Sequence, residues 1–368
     1  MTHAPQSEPT LGGAPQTVLR RMREQFPQTA LWNDSADPAQ LATSIGFGAV
    51  GATCNPVIAV AALSADLPRW SARIAEIAEE RPTATDSDIG WQVVEELSVE
   101  AARLLEPAFV ASGGRDGRLS IQTDPRLRRD PEALLAQAER FAALAPNIIV
   151  KIPATQAGIE AIEEAAFRGI AINATVSFTV AQALAVAEAI ERAHARRAEQ
   201  GLPEVELGHV ATIMGGRLDD WLKTVTQREK MLLTPGVLDW AGVAALKRAH
   251  AIFTERGFRT RVLSAAFRNR LQLSELVGGD LVVSPPFEWQ RRINDHVADL
   301  PARIDEPVAP EILAELEQLP EFRRAYEPDG LSVEEFEHFG AARATVRQFL
   351  EASEQLDALV RNVLVPVP

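Results

Sequence analysis

Asn147-Ile148-Ile149-Val150-Lys151-Ile152-Pro153 is a short apolar run interrupted by one lysine, and Gly169-Ile170-Ala171-Ile172-Asn173-Ala174-Thr175 follows it one helix-length later. Near-continuous apolar runs of this length suit parallel strands that are covered on both faces. The interval between them, 157–167, carries helical spacing and stops before Gly169, a residue suited to the left-handed turn that ends helices. Outward from this pair the same alternation recurs, and it predicts strands at 29–34, 49–55, 118–123, 147–153, 170–177, 208–214, 261–266 and 280–284. A helix is expected at 17–26. Asp130-Pro131-Glu132 reads as an N-cap, a first-turn proline and a first-turn acid, opening a helix to about Leu144. Another run, 239–256, ends at Gly257. Eight strands alternating with helices specify an α/β chain, a single (β/α)8 TIM barrel. A doubly wound sheet is the runner-up, but no G-x-G-x-x-G follows a strand to support it.

The connection 56–117 is too long for one crossover, and its periodic runs at 71–80 and 87–105 predict extra helices after strand 2. Residues 1–16 are polar and rich in Pro, Gly and Ser, which reads as a disordered tail. The barrel is expected over 17–310. The remainder, 311–368, reads as a helical extension packed on the barrel, one that could cap it or support a homodimer.

The composition narrows the function. The 368 residues carry a formal net charge of −14, which argues against a nucleic-acid partner because phosphate backbones demand a positive surface. The 46% hydrophobic content allows a large core. No apolar run approaches the roughly 20 residues of a membrane span, and the first residues lack the apolar segment of a secretion signal. One cysteine, Cys54, excludes an internal disulfide framework and fits a reducing compartment, so the expected location is the cytoplasm. The six histidines are scattered, so no catalytic metal is expected and no other cofactor is implied.

Thirty-three of the 37 cationic residues are Arg; the lysines are Lys151, Lys223, Lys230 and Lys247. The last three sit among polar neighbours in helical patterns and read as surface residues. Lys151 sits in an apolar strand, where desolvation favours the neutral amine and hence a nucleophile that can attack a carbonyl. An arginine cannot do this, since it keeps its proton. In a barrel the chemistry gathers where strands end. The polar residues at those positions are Asp34, Asn55, Gln122, Lys151, Asn173, Thr175, Thr212, Arg217 and Arg268.

Asn147–Thr155 with Gly158-Ile159 resembles the Schiff-base strand of the transaldolase family, and so does Gly169–Thr175 running on to Ala181-Gln182-Ala183. Asn33-Asp34-Ser35-Ala36-Asp37, Gly51-Ala52-Thr53-Cys54-Asn55-Pro56, Gly215-Gly216-Arg217-Leu218-Asp219-Asp220-Trp221 and Ala266-Phe267-Arg268 are similar to further family motifs, in the family's order. The resemblance implies a cofactor-free class I enzyme of carbohydrate metabolism, in the pentose phosphate pathway. Such an enzyme transfers a dihydroxyacetone unit from a sugar phosphate to an aldehyde acceptor. It implies that Lys151 forms the imine and Asp34 handles the proton of the sugar C4 hydroxyl. Thr175 would hold a water, Asn55, Asn173 and Thr212 would meet the substrate, and Arg217 with Arg268 would clamp a phosphate, for which a guanidinium fork is suited.

The chain departs from the pattern at several places. Gln122 stands where the family has a glutamate, a change shared with fructose 6-phosphate aldolases, so cleavage with release of free ketone is the alternative activity. Those aldolases also use a tyrosine where this chain has Met214, and Tyr326 is distant in sequence. Ala266 replaces a family serine near the phosphate, and Thr212 replaces another. A non-catalytic sugar-phosphate-binding barrel is the remaining alternative, and the retained Lys151 and Asp34 argue against it.

Overall fold

The eight expected strands form, each shorter than its apolar run, in a computed structural model that describes residues 16–366. They are β1 (Thr29–Leu31), β2 (Gly51–Thr53), β3 (Arg118–Gln122), β4 (Ile148–Pro153), β5 (Ile172–Thr175), β6 (Val210–Ile213), β7 (Arg261–Ser264) and β8 (Leu281–Val283). All pair in parallel, with β1 beside β8 and each later strand beside its predecessor down to β2. Between β1 and β2 the Val50 N–H donates to the Leu31 carbonyl and the Asn33 N–H to the Gly51 carbonyl, both at 2.8 Å, which closes the ring. The chain is a TIM barrel.

Strand alternation divides the core in two. Ile148, Val150 and Ile152 face the helices, while Ile149 joins Ala30, Trp32, Val210, Leu263 and Val282 inside the ring. Trp32 fills this floor by lying across β2 at Gly51, where a Cβ would come 2.5 Å from the indole. Lys151, one step of alternation beyond Ile149, therefore stands on an apolar floor.

The helices before β3 are α1 (Val18–Gln25), α2 (Pro38–Gly46), α3 (Pro56–Ala65), α4 (Leu67–Glu80) and α5 (Asp86–Ala111). Then come α6 (Pro131–Ala142), α7 (Gln156–Phe167), α8 (Val180–Glu199), α9 (Gly215–Glu229), α10 (Ala241–Arg256), the short α11 (Leu271–Ser274) and α12 (Phe287–His296). Local signals set their ends: Thr17, Asp130 and Thr155 cap α1, α6 and α7, and Gly257 closes α10 at φ +63°. Helix α5 runs beyond the expected end at 105, straight through Pro107. Residue 107 is exposed, so the missing N–H and the ring fall on the solvent side of a helix whose other face is held by the barrel.

The C-terminal part is less regular than its periodicity suggested. It breaks into α13 (Pro310–Leu316), α14 (Pro320–Tyr326), a 3-10 turn (Val333–His338) and the long α15 (Gly340–Leu364). Prolines 310 and 320 open the two short helices, which is what divides the segment. Helix α15 packs against α3, α4, α5 and α9 and so reaches the end of the barrel where the strands finish. Of the expected tail at 1–16, all but Gln16 lies outside the described residues. Among the described residues no helix is long and apolar enough to cross a membrane.

Candidate active site

Lys151 lies in β4 with Gln122 of β3 and Asn173 of β5 as its direct neighbours across the sheet. It is 3% exposed, and among the described residues no carboxylate lies within ion-pair distance of it. Burial pushes its amine below the usual lysine range, while the charge of Asp34 pulls the other way. Lys247 shows the contrast, and corrects the surface reading made of it. Its Nζ donates to the carbonyls of Arg303 (2.7 Å) and Glu306 (2.5 Å) and lies 3.6 Å from Glu275, so it acts as a structural tether.

Asp34 follows β1, half-buried, with its N–H donating to the Pro285 carbonyl at 3.2 Å. The Thr53 hydroxyl donates to its carboxylate. Burial raises its carboxyl above the ordinary value of 3.8, opposed by Lys151, Thr53, Arg217 and Arg268 in that order. The fields of one acid, one amine and two guanidiniums therefore overlap at one end of the barrel. Cys54 belongs to the outer core and its thiol is pushed up to about 12 by burial, so it is no nucleophile at neutral pH.

A chain of hydrogen bonds crosses three strands beside the lysine. The Thr212 hydroxyl donates to Asn173 Oδ1 at 2.7 Å, and Asn173 Nδ2 donates to the Ser120 hydroxyl at 3.0 Å. The Thr212 hydroxyl thus orients the Asn173 amide. Asn55 behaves similarly, since its side-chain oxygen accepts from the Ile58 N–H at 3.1 Å and caps α3. Gln122 is 3% exposed and its Oε1 has no partner, an acceptor held open beside Lys151.

Thr175 is fully buried at the end of β5, 4.0 Å from the Met214 sulfur. The next residue, Val176, has φ +51°, a conformation that a β-branched side chain resists at roughly 1–3 kcal/mol. Gln182 holds this turn: its Nε2 donates to the carbonyls of Val176 (2.9 Å) and Ala154 (3.1 Å), tying together the loops after β5 and β4. Neither Ser120 nor Gln182 was singled out from sequence for a role at the site.

Arg217 lies in the first turn of α9 and Arg268 follows β7. A Cβ on Gly216 would sit 1.9 Å from the Ala266 carbonyl and 2.7 Å from Arg268 Cγ, so glycine here lets the two arginine-bearing loops touch. Arg217 donates to Thr345 Oγ1 at 3.2 Å and lies 5.4 Å from the Phe349 ring centroid, both on α15. Arg268 pairs with Asp220 at 2.7 Å while staying 41% exposed. Desolvation, then the repulsion of Arg268, lowers the Arg217 pKa, with the charges of Asp34 and Asp220 opposing. Among the described residues no three His, Cys, Asp or Glu side chains gather as a metal site.

The family model for transaldolase/fructose-6-phosphate aldolase matches residues 31–357, which takes in all nine of the polar strand-end residues from Asp34 to Arg268. The chain belongs to this family. Transaldolase 1 of Streptomyces avermitilis is 34% identical over 55% of this chain, and the match spans about half (53%) of that protein. Transaldolase 1 of Streptomyces coelicolor is 32% identical over 67% of this chain and 70% of its own length. Transaldolase of Alteromonas mediterranea is 27% identical over 89% and 95% respectively. The transaldolase/fructose-6-phosphate aldolase match thus runs from β1 into α15, the helix that holds Arg217.

Proposed function

We propose that this chain is a transaldolase-like enzyme, a transferase that moves a dihydroxyacetone unit between sugar phosphates through an imine on Lys151. The observation that carries the reading is a lysine with a depressed pKa, on an apolar floor, in the field of a half-buried acid. The neutral amine adds to the ketose C2 carbonyl, and loss of water gives the iminium. As the C3–C4 bond breaks, its electron pair moves into the iminium to form an enamine, and Asp34 takes the C4 hydroxyl proton. The first aldehyde leaves. An incoming aldehyde accepts the pair back from C3 and the proton from Asp34, and hydrolysis then frees Lys151. A carboxyl raised by burial is a better proton acceptor than an ordinary carboxylate, which suits an acid that must both take and return a proton. Thr175 and Gln122 would hold the water and Asn173 and Asn55 the substrate hydroxyls, while Thr212 fixes Asn173. The setting we propose is the cytoplasm. Borohydride reduction in the presence of a ketose tests the reading: a mass increment on a Lys151 peptide supports it. No increment with any ketose tried would leave a binding barrel.

Arg217 and Arg268 are proposed as the phosphate clamp. Each Ala variant is expected to raise KM for a phosphorylated ketose by roughly 10- to 100-fold, the loss of one charged hydrogen bond. KM for unphosphorylated dihydroxyacetone should hold. Equal effects on both substrates would remove the phosphate from the assignment.

A second activity, release of free ketone, is favoured by the unpartnered Gln122 Oε1. An amide can donate to or accept from water but cannot take its proton, so the enamine's fate should depend on this side chain. Gln122→Glu is expected to raise the ratio of transfer product to free dihydroxyacetone, read by chromatography with one acceptor aldehyde. An unchanged or lower ratio would show that residue 122 does not control the partition.

A further inference from the structure

Beyond the mouth clamp, the catalytic face carries a second basic concavity. A groove of about 430 Å3 lies between the loop after β3, the start of α7, the turn Val333–His338 and α15. Arg128 and Arg129 enter it from the loop, and Arg343 and Arg347 from the helix. Among the described residues the only one of these four with a carboxylate within 4.0 Å is Arg347, whose partner is Glu351 one turn along at 3.0 Å. Arg73, by contrast, is surrounded by Glu76, Glu80 and Glu96. Glu337 is the one acid lining the groove, and it lies 3.8 Å from His338. Three guanidiniums without a carboxylate partner, with Arg347 beside them sharing its charge with Glu351, repel one another, and the arrangement is relieved when an anion enters.

The loop is held in place before any ligand arrives, because the Thr155 hydroxyl donates to the Arg128 carbonyl at 3.3 Å. Val346 and Leu350 supply an apolar floor between the charges. Helix α15 separates this groove from the mouth: Thr345 and Phe349 face Arg217, and Arg343 and Arg347 face the groove.

We propose that the groove is a second anion site, for an organic polyphosphate whose phosphate groups engage the four arginines while its carbon skeleton lies on Val346 and Leu350. Two guanidiniums suffice for one phosphate, as at the mouth; four imply a pair of phosphates. The volume is that of a small-molecule pocket, and its lining holds no Phe, Tyr or Trp on which a nucleic-acid base could stack.

Calorimetry with inorganic pyrophosphate, orthophosphate and adenosine diphosphate tests this. Pyrophosphate binding is expected to persist in Arg217→Ala and in Lys151→Met, and to weaken at least tenfold in the double variant Arg129→Glu/Arg343→Glu. Turnover at saturating sugar phosphate should stay within about twofold of wild type in that double variant. Should the charge reversals not fold, Arg129→Gln/Arg343→Gln carries the same expectation. Adenosine diphosphate should bind more tightly than pyrophosphate, and orthophosphate more weakly. Loss of pyrophosphate binding in Arg217→Ala, undiminished binding in either double variant, orthophosphate as tight as pyrophosphate, or an RNA oligonucleotide outcompeting adenosine diphosphate would each overturn the assignment. Failure of the imine reading would show instead in the borohydride experiment, which does not involve the groove.

Discussion

Lys151→Arg is expected to fold and to lose turnover by more than the roughly 10²–10⁴-fold typical of a proton-transfer residue, because the covalent step itself disappears. The guanidinium keeps its proton and has no free amine to offer a carbonyl. The position is 3% exposed between Gln122 and Asn173, so the larger planar group must find room in a packed interior. Asp34 supplies a countercharge, which limits the cost of the permanent cation. Thermal melts separate the two effects, and Lys151→Met gives a second reading with similar volume and no charge. Borohydride with a ketose should leave both variants unmodified. Turnover within tenfold of wild type in either folded variant would mean that another group forms the intermediate.

The barrel could be read from the sequence because its signals are local. Apolar runs of strand length, caps at Asp130 and Thr155 and a stop at Gly257 each act within a few residues. The lysine was visible for the same reason, as an exception inside one such run. The hydrogen-bonded chain Ser120–Asn173–Thr212 was not, because its members lie 53 and 39 residues apart and meet only through the register of β3 to β6. Thr212 stands out in the sequence as a polar residue near a strand end; that its hydroxyl donates to Asn173 depends on the neighbouring strand. Lys247 misled. Its helix looks polar, and only the return of 303–306 over α10 buries its amine. The strand ends were overestimated because parallel strands and the loops that follow them share apolar and small residues here, as in Val176 and Ala265. In both cases what escaped the sequence is pairing between distant segments.

Asp34→Asn should lower kcat by roughly 10²–10⁴-fold while shifting the pH dependence of imine formation to lower pH. The amide keeps the shape, and its oxygen can still accept from the Thr53 hydroxyl. It cannot take the C4 hydroxyl proton, so C–C cleavage slows. The shift in pH follows from the sign of the interaction. Desolvation lowers the Lys151 pKa and the Asp34 charge raises it, so removing the charge leaves desolvation less opposed and the pKa falls further. The amine is then neutral at lower pH, and the rate of borohydride trapping should reach half its plateau at a lower pH than in wild type. Stability should move as well. Burial holds the Asp34 carboxyl above 3.8, so folding takes up a proton, and the wild type loses stability as pH climbs from 3.8 through the raised value. The variant lacks this loss, and its melting temperature should rise relative to wild type across that window. The two groups titrate as a pair, so both profiles report the pair and not one residue. A trapping midpoint that is unchanged or moves upward would show that Asp34 does not act on the Lys151 amine. A kcat close to wild type would show that it is not the acid that carries the proton.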